Sequence, residues 1–223
     1  MCSEWRVIPD IKFCGMTRPT DARFAAELGA AYVGVIFAGG PRQRTIEQAR
    51  EVLSGLPSRI KRVGVFGPQR TEEIAAIASA LELDVLQLHD RGDPETVDRL
   101  RALTRAELWS VLRLSRGFLP ENSKVIADAA DAIVLDTYIP GVPGGTGVAL
   151  PWHEIAGQLE PIRSGRLVLA GGLRPENVAM AIAHVAPDVV DVSSGVEGDV
   201  GIKDHERMRA FRDAVIQASI PTP

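Results

Sequence analysis

Ile11-Lys12-Phe13-Cys14-Gly15-Met16-Thr17-Arg18-Pro19 is a short apolar run that ends in a cysteine, turns at a glycine and enters a helix start. Proline is tolerated in a first helical turn, where its missing N–H is not needed, so the stretch reads as strand, tight turn, helix. The same grammar recurs along the chain. Strands are expected near 11–14, 32–37, 62–66, 85–89, 107–112, 132–136, 166–170 and 189–193. Amphipathic helices are expected near 19–28, 46–54, 71–81, 94–103, 120–127, 152–159, 175–184 and 203–217, several of them opened by a cap or a proline such as Thr71, Asp93-Pro94 and Arg174-Pro175. Eight strand–helix pairs with no linker match a single (β/α)8 TIM barrel over residues 1–223, with 1–9 and 219–223 as flexible ends. An open doubly wound sheet is the alternative, but no G-x-G-x-x-G follows the first strand.

Composition narrows the partners. The 223 residues are 45% hydrophobic, enough for a sizeable core, and the net charge of −4 comes from interspersed signs. No basic patch argues for nucleic acid, so a small molecule held by local charges is the expected partner. No apolar run reaches membrane-spanning length, and Met1-Cys2-Ser3-Glu4-Trp5-Arg6 lacks a signal-peptide core. Cys2 and Cys14 form no metal-binding spacing and suit a reduced cytoplasm. A monomer is the default expectation, with a homodimer as the alternative.

Side chains two apart on a strand share a face. If Cys14 points into the barrel mouth, so does Lys12; Gln87 and His89 go together, as do Asp191 and Ser193, and Asp136 follows Val134 and Ala132. Ionisable groups aimed into a barrel interior are costly unless paired or used. Free cysteine is often mere packing, but Cys14 at a strand end before a helix N-terminus is expected to have a lowered pKa and to favour the thiolate. Asp136 could be an ordinary cap. The long glycine-rich segment after it, from Thr137 to Gly147, reads instead as an active-site lid. A thiolate base and a carboxyl acid are a sound pair for moving protons on a sugar skeleton.

Gly171-Gly172 and Ser193-Ser194-Gly195 follow the seventh and eighth strands, where barrels often grip phosphate with backbone N–H groups. Two tight turns are the competing explanation. Arg42, behind Pro41 and beside Gly39-Gly40, suits a fork for a carboxylate, whereas Arg44 reads as surface. His89 reads as a hydrogen-bonded wall residue, and His153, His184 and His205 as helix surface.

Taken together these segments resemble the phosphoribosylanthranilate isomerase family of tryptophan biosynthesis. The matching stretches run in order from Lys12-Phe13-Cys14-Gly15-Met16-Thr17 through Gly34-Val35-Ile36-Phe37 with Pro41-Arg42, Gln87-Leu88-His89, Leu135-Asp136-Thr137 and Gly144-Gly145-Thr146-Gly147. They continue through Leu169-Ala170-Gly171-Gly172-Leu173 to Asp191-Val192-Ser193-Ser194-Gly195-Val196-Glu197, with Gly201 and Lys203-Asp204. The resemblance implies an Amadori rearrangement of an aminoaldose to an aminoketose, without metal or organic cofactor. It implies Asp136 as the acid that opens the furanose ring and Cys14 as the base that takes the C2 proton. Arg42 would hold the anthranilate carboxylate, the Gly171-Gly172 and Ser193-Ser194-Gly195 loops the phosphate, and His89, Gly147 and Asp191 would also meet the substrate. Asp136 must then be protonated when it acts, although an ordinary carboxyl is ionised at neutral pH.

The chain departs from the family's pattern at Asp90, where glycine is common, at Gly39-Gly40 before Pro41, where serine is usual, and in Val148-Ala149-Leu150-Pro151-Trp152, which lacks a phenylalanine. Asp90 adds negative charge beside an anionic substrate. Two related phosphosugar barrels fit less well: a histidine-pathway isomerase would place aspartate at Cys14, and an indole-forming synthase needs several strand-end lysines. A barrel that only binds a phosphate ligand has no use for the Cys14–Asp136 pair.

Overall fold

Apolar on both faces, the short runs can be satisfied only between a filled interior and a coat of helices. The computed structural model describes residues 8–90, 92–114, 118–136 and 152–218. In it β1 (Asp10–Phe13), β2 (Tyr32–Ile36), β3 (Lys61–Phe66), β4 (Val85–Leu88), β5 (Glu107–Arg113), β6 (Ala132–Asp136), β7 (Arg166–Ala170) and β8 (Val189–Val192) pair in parallel and close into a barrel. Closure rules out the open doubly wound sheet. The intervening helices are α1 (Pro19–Glu27), α2 (Ile46–Leu53), α3 (Thr71–Leu81), α4 (Pro94–Leu103), α5 (Ser123–Ala129), α6 (Trp152–Ala156), α7 (Val178–Val185) and α8 (His205–Ala218).

Strand register decides what fills the interior. Lys12 lies opposite Tyr32 and Asp191, Val63 opposite Val85, Trp109 opposite Ala132, and Val168 opposite Val189. Tyr32, Val63, Val85, Trp109, Ala132, Val134, Val168 and Val189 form one buried cluster, the plug of the barrel. The outward residues, such as Phe13, Val35, Leu86, Leu135 and Leu169, join a second cluster with the helices. Truncating a fully buried member such as Phe13 to alanine costs about 3–5 kcal/mol in sites of this kind.

Boundaries differ from expectation where side chains compete with backbone. The helix expected from Pro175 starts at Val178, because Asn177 Oδ1 accepts from the Arg174 N–H at 2.9 Å and its amide donates to the Gly172 carbonyl at 3.0 Å. The helix expected from Pro120 starts at Ser123, whose hydroxyl donates to the Pro120 carbonyl at 2.6 Å. Asp93 does cap α4, accepting from the Thr96 N–H at 3.0 Å, but Thr71 lies inside α3, and Arg70 takes the cap position. After β8 the chain forms an antiparallel hairpin, β9 (Glu197–Asp199) and β10 (Ile202–Lys203), which the sequence reading did not anticipate.

Candidate active site

A cavity of about 720 Å³ opens at the C-terminal ends of the strands. Its wall carries Cys14 from β1, Gln87 and His89 from β4, Asp136 from β6 and Asp191 and Ser193 from β8. The alternation expected from the strands therefore holds at every one of these positions. Among the described residues, Gln87 Oε1, His89 Nδ1 and Asp191 Oδ1, all on residues of this wall, are buried without a hydrogen-bond partner. Buried polar atoms are normally satisfied, so three such atoms on the residues of one wall mark it as a polar site.

Cys14 sits at the side of this cavity, almost fully buried, with its N–H donating to the Val192 carbonyl at 2.9 Å. Room for the thiol comes from β2: a Cβ added at Gly34 would lie 3.0 Å from Cys14 Sγ and 3.4 Å from Lys12 Cε. Lys12 is fully buried and donates to Asp191 Oδ2 at 2.8 Å. The expected lowering of the thiol is overturned. Burial pushes the Cys14 pKa up, and Lys12 pulls against it without reversing the direction. The helix N-terminus offers less than anticipated because α1 begins only at Pro19, with Gly15 in left-handed backbone at φ +69° between it and the thiol.

Asp136 ends β6 with Arg113 of β5 as its register partner. Arg113 in turn donates to Asp90 at 2.8 Å. The charge added by Asp90 is thus matched by Arg113 on the same wall. His89 is held neutral in preference: burial lowers its pKa, and Arg113 adds to the effect. Among the sequence candidates Gly147 and the whole of the expected lid, residues 137–147, lie outside the described residues, as do the ends 1–7 and 219–223.

Two loops close the site on the β7–β8 side. Gly171 and Gly172 both have left-handed backbone, at φ +86° and +67°, and line the cavity with Ser193 and Ser194. Gly195 is not on the cavity wall; a Cβ there would fall 1.9 Å from the Leu173 carbonyl oxygen. Its lack of a side chain lets the two loops touch.

Arg42 reaches the cavity, but as a fork already engaged. Its Nε and one Nη donate to the two Glu197 oxygens at 2.7 and 2.6 Å. Glu197 also accepts from Lys203 at 3.0 Å, and Lys203 donates to the Ser193 carbonyl at 3.0 Å. Burial raises the Glu197 carboxyl, yet Arg42 and Lys203 outweigh it and hold the group below its ordinary value. Glu197 and Lys203 carry no role in the sequence pattern: the β9–β10 hairpin folds Lys203 back onto Glu197, and Arg42 comes from a loop 155 residues away. His205 lies on the surface of α8 as expected, its side chain 41% exposed, and there stacks on Phe24 with ring centres 4.0 Å apart and pairs with buried Asp21 at 3.0 Å.

A model of the N-(5'-phosphoribosyl)anthranilate isomerase family matches residues 11–214. The chain belongs to this family. It is 45% identical over 208 residues to the isomerase of Pseudomonas fluorescens (strain Pf0-1), covering 92% of this chain and 97% of the relative. The Pseudomonas aeruginosa (strain UCBPP-PA14) isomerase is 44% identical over 207 residues, with 92% and 94% covered. Among solved structures, the Thermotoga maritima phosphoribosylanthranilate isomerase superposes with a TM-score of 0.84 at 35% identity, over 94% of this chain and 99% of the other. Another isomerase of the family, in complex with reduced 1-(o-carboxyphenylamino)-1-deoxyribulose 5-phosphate, gives 0.81 at 33% identity with the same coverage. Among the described residues of this isomerase chain, no cluster of His, Cys, Asp and Glu could hold a metal ion, and no helix is long and apolar enough to cross a membrane.

Proposed function

We propose that Cys14 and Asp136 carry the chemistry by which this isomerase converts N-(5'-phosphoribosyl)anthranilate to 1-(2-carboxyphenylamino)-1-deoxyribulose 5-phosphate. One observation supports this most: the two groups face a single cavity from β1 and β6, with the glycine and serine loops of β7 and β8 between them. A sugar phosphate anchored at those loops presents its C1–C2 end to both side chains. Asp136 donates its proton to the ring oxygen, the ring opens, and a protonated Schiff base forms at C1. That electron sink acidifies the C2 proton, which Cys14 removes to give an enolamine; tautomerisation then yields the ketone.

Gly171, Gly172, Ser193, Ser194 and, through loop packing, Gly195 hold the phosphate, as their left-handed backbone and hydroxyls favour. Arg42 offers its remaining Nη edge to the anthranilate carboxylate. Gln87, His89 and Asp191, which line the same cavity, meet the ribose hydroxyls.

The deciding measurement follows the fluorescence of freshly prepared phosphoribosylanthranilate. Wild type consumes it, while Cys14→Ser and Asp136→Asn lose about 10²–10⁴-fold in kcat with smaller changes in KM and in melting temperature. Full activity in Cys14→Ala would sink the mechanism.

A further inference from the structure

Lys12 poses a question that packing does not answer. An ammonium with no exposure pays a heavy desolvation cost, and replacing a buried ion pair by apolar side chains is often neutral or stabilising. The plug of the barrel beside it is built mainly of apolar side chains. Lys12 and Asp191 are register partners on adjacent strands, and Cys14 is the next inward residue of β1. Gly34 of β2 borders both groups: a Cβ there would lie 3.0 Å from the sulfur and 3.4 Å from Lys12 Cε, so a side chain at this position would crowd the pair. Asp191 holds the ammonium by Oδ2, and among the described residues its buried Oδ1 has no hydrogen-bond partner.

We propose that Lys12 is a positioning residue of the reaction, the counter-ion that Asp191 holds beside Cys14 so that the buried sulfur can exist as the thiolate. This rests on the assignment of Cys14 as the base. Three other charged groups act on the sulfur: Asp191 from β8 opposes ionisation, while Lys203 from β10 favours it, as does Arg42 from the loop after β2. Lys203 and Arg42 are already engaged by Glu197. Lys12 is the largest influence that opposes the effect of burial on the sulfur, and its ammonium is held in place by Asp191 at 2.8 Å.

The test uses a Cys2→Ser background, in which Cys14 is the sole thiol of the two in the chain. Alkylation of Cys14 by iodoacetamide is measured against pH in the free enzyme, alongside the pH profile of kcat/KM. In Lys12→Met/Asp191→Asn, which removes both charges together, thiolate formation and the rising limb of kcat/KM both shift up by about one pH unit or more. Activity at neutral pH falls about tenfold or more beyond that of Asp191→Asn alone, and recovers at high pH. Lys12→Arg, which keeps the charge, restores most of the alkylation profile. Coincident titrations of wild type and the double variant would overturn the proposal, as would a loss of activity equal at every pH. If the double variant does not fold, the Lys12 side-chain carbon resonances of the wild type are followed instead: a step at the pH of Cys14 alkylation supports the pairing, and no step overturns it. Unimpaired turnover in Cys14→Ser with a shifted titration would sink the base assignment and leave the counter-ion standing.

Discussion

Charge lies inside both ends of this barrel, and the two ends treat it differently. At the N-terminal end Glu107 accepts from Lys61, from Arg166 at 2.9 Å and from the Trp109 indole at 3.2 Å. These carboxylate and cation side chains keep between 30% and 40% of their surface in water. At the C-terminal end Lys12 and Asp191 are 0% and 7% exposed, and the Glu197–Lys203 pair is 6% and 0% exposed. A solvated cluster contributes little and costs little, because water screens the attraction and spares the desolvation. A desolvated cluster is costly to form and rigid once formed. The barrel therefore closes its floor with cheap charge and places its expensive charge against the cavity.

The largest effect should come from Glu197, which serves two cations at once. Glu197→Gln leaves Arg42 and Lys203 sharing a neutral partner in a largely buried setting, for an expected loss of about 3 kcal/mol of stability. Arg42 and the Ser193 carbonyl are no longer braced together, so KM should rise about tenfold with kcat changed less. Thermal unfolding and steady-state kinetics check both. The pH dependence has a defined sign. The folded carboxyl titrates below its ordinary value of 4.5, so the unfolded chain takes up that proton first as pH falls. Its contribution is complete above pH 4.5 and disappears below it. The melting-temperature gap between wild type and Glu197→Gln should be constant near neutrality and narrow on acidification; a gap that widens would refute this account of Glu197.

Legibility in the sequence followed the range of the interactions. Strand alternation is local, and it placed Cys14, His89, Asp136 and Ser193 on one wall because parity needs only neighbouring residues. The glycine pair after β7 was legible for the same reason. Illegible were the contacts between distant segments: Arg42 with Glu197, Lys12 with Asp191, Arg113 with Asp90. Each joins different strands or loops, so neither spacing nor propensity reports it. The thiol was misjudged because a strand-end position says nothing of burial, which dominates the Cys14 pKa. The helix starts at Pro175 and Pro120 were misplaced by side-chain bonds that propensity does not count.

An intermediate effect is expected at Gly34, where the same C-terminal end is disturbed without touching any charge. An alanine Cβ would meet Cys14 Sγ at 3.0 Å, closer than such contacts normally run, so the thiol must shift by a few tenths of an ångström. Proton abstraction from carbon is sensitive to such displacement, and a 1 Å error can cost about 10²-fold. Gly34→Ala should lower kcat about tenfold while stability falls by about 1 kcal/mol. Unchanged kcat would mean that the sulfur has slack and that its placement by β2 is unimportant.

The smallest effect belongs to the floor. Glu107→Gln removes the charge from the solvated cluster but keeps an amide oxygen for Lys61, Arg166 and the Trp109 indole. Partial exposure limits the loss to about 1 kcal/mol, and salt should erase most of it, since ions reach these side chains. Turnover should stay within about twofold of wild type, because the plug formed by Tyr32, Val63, Trp109 and Val168 separates this cluster from the cavity. Melting temperatures of Glu107→Gln and Glu197→Gln in low and high salt then separate the two kinds of charge. The floor variant should converge on wild type as salt rises, and the cavity variant should do so less, because Glu197 and Lys203 are almost fully buried. Equal convergence of both would mean that the C-terminal cluster is as wet as the floor, and the desolvation that makes Lys12 a meaningful counter-ion for Cys14 would be lost with it.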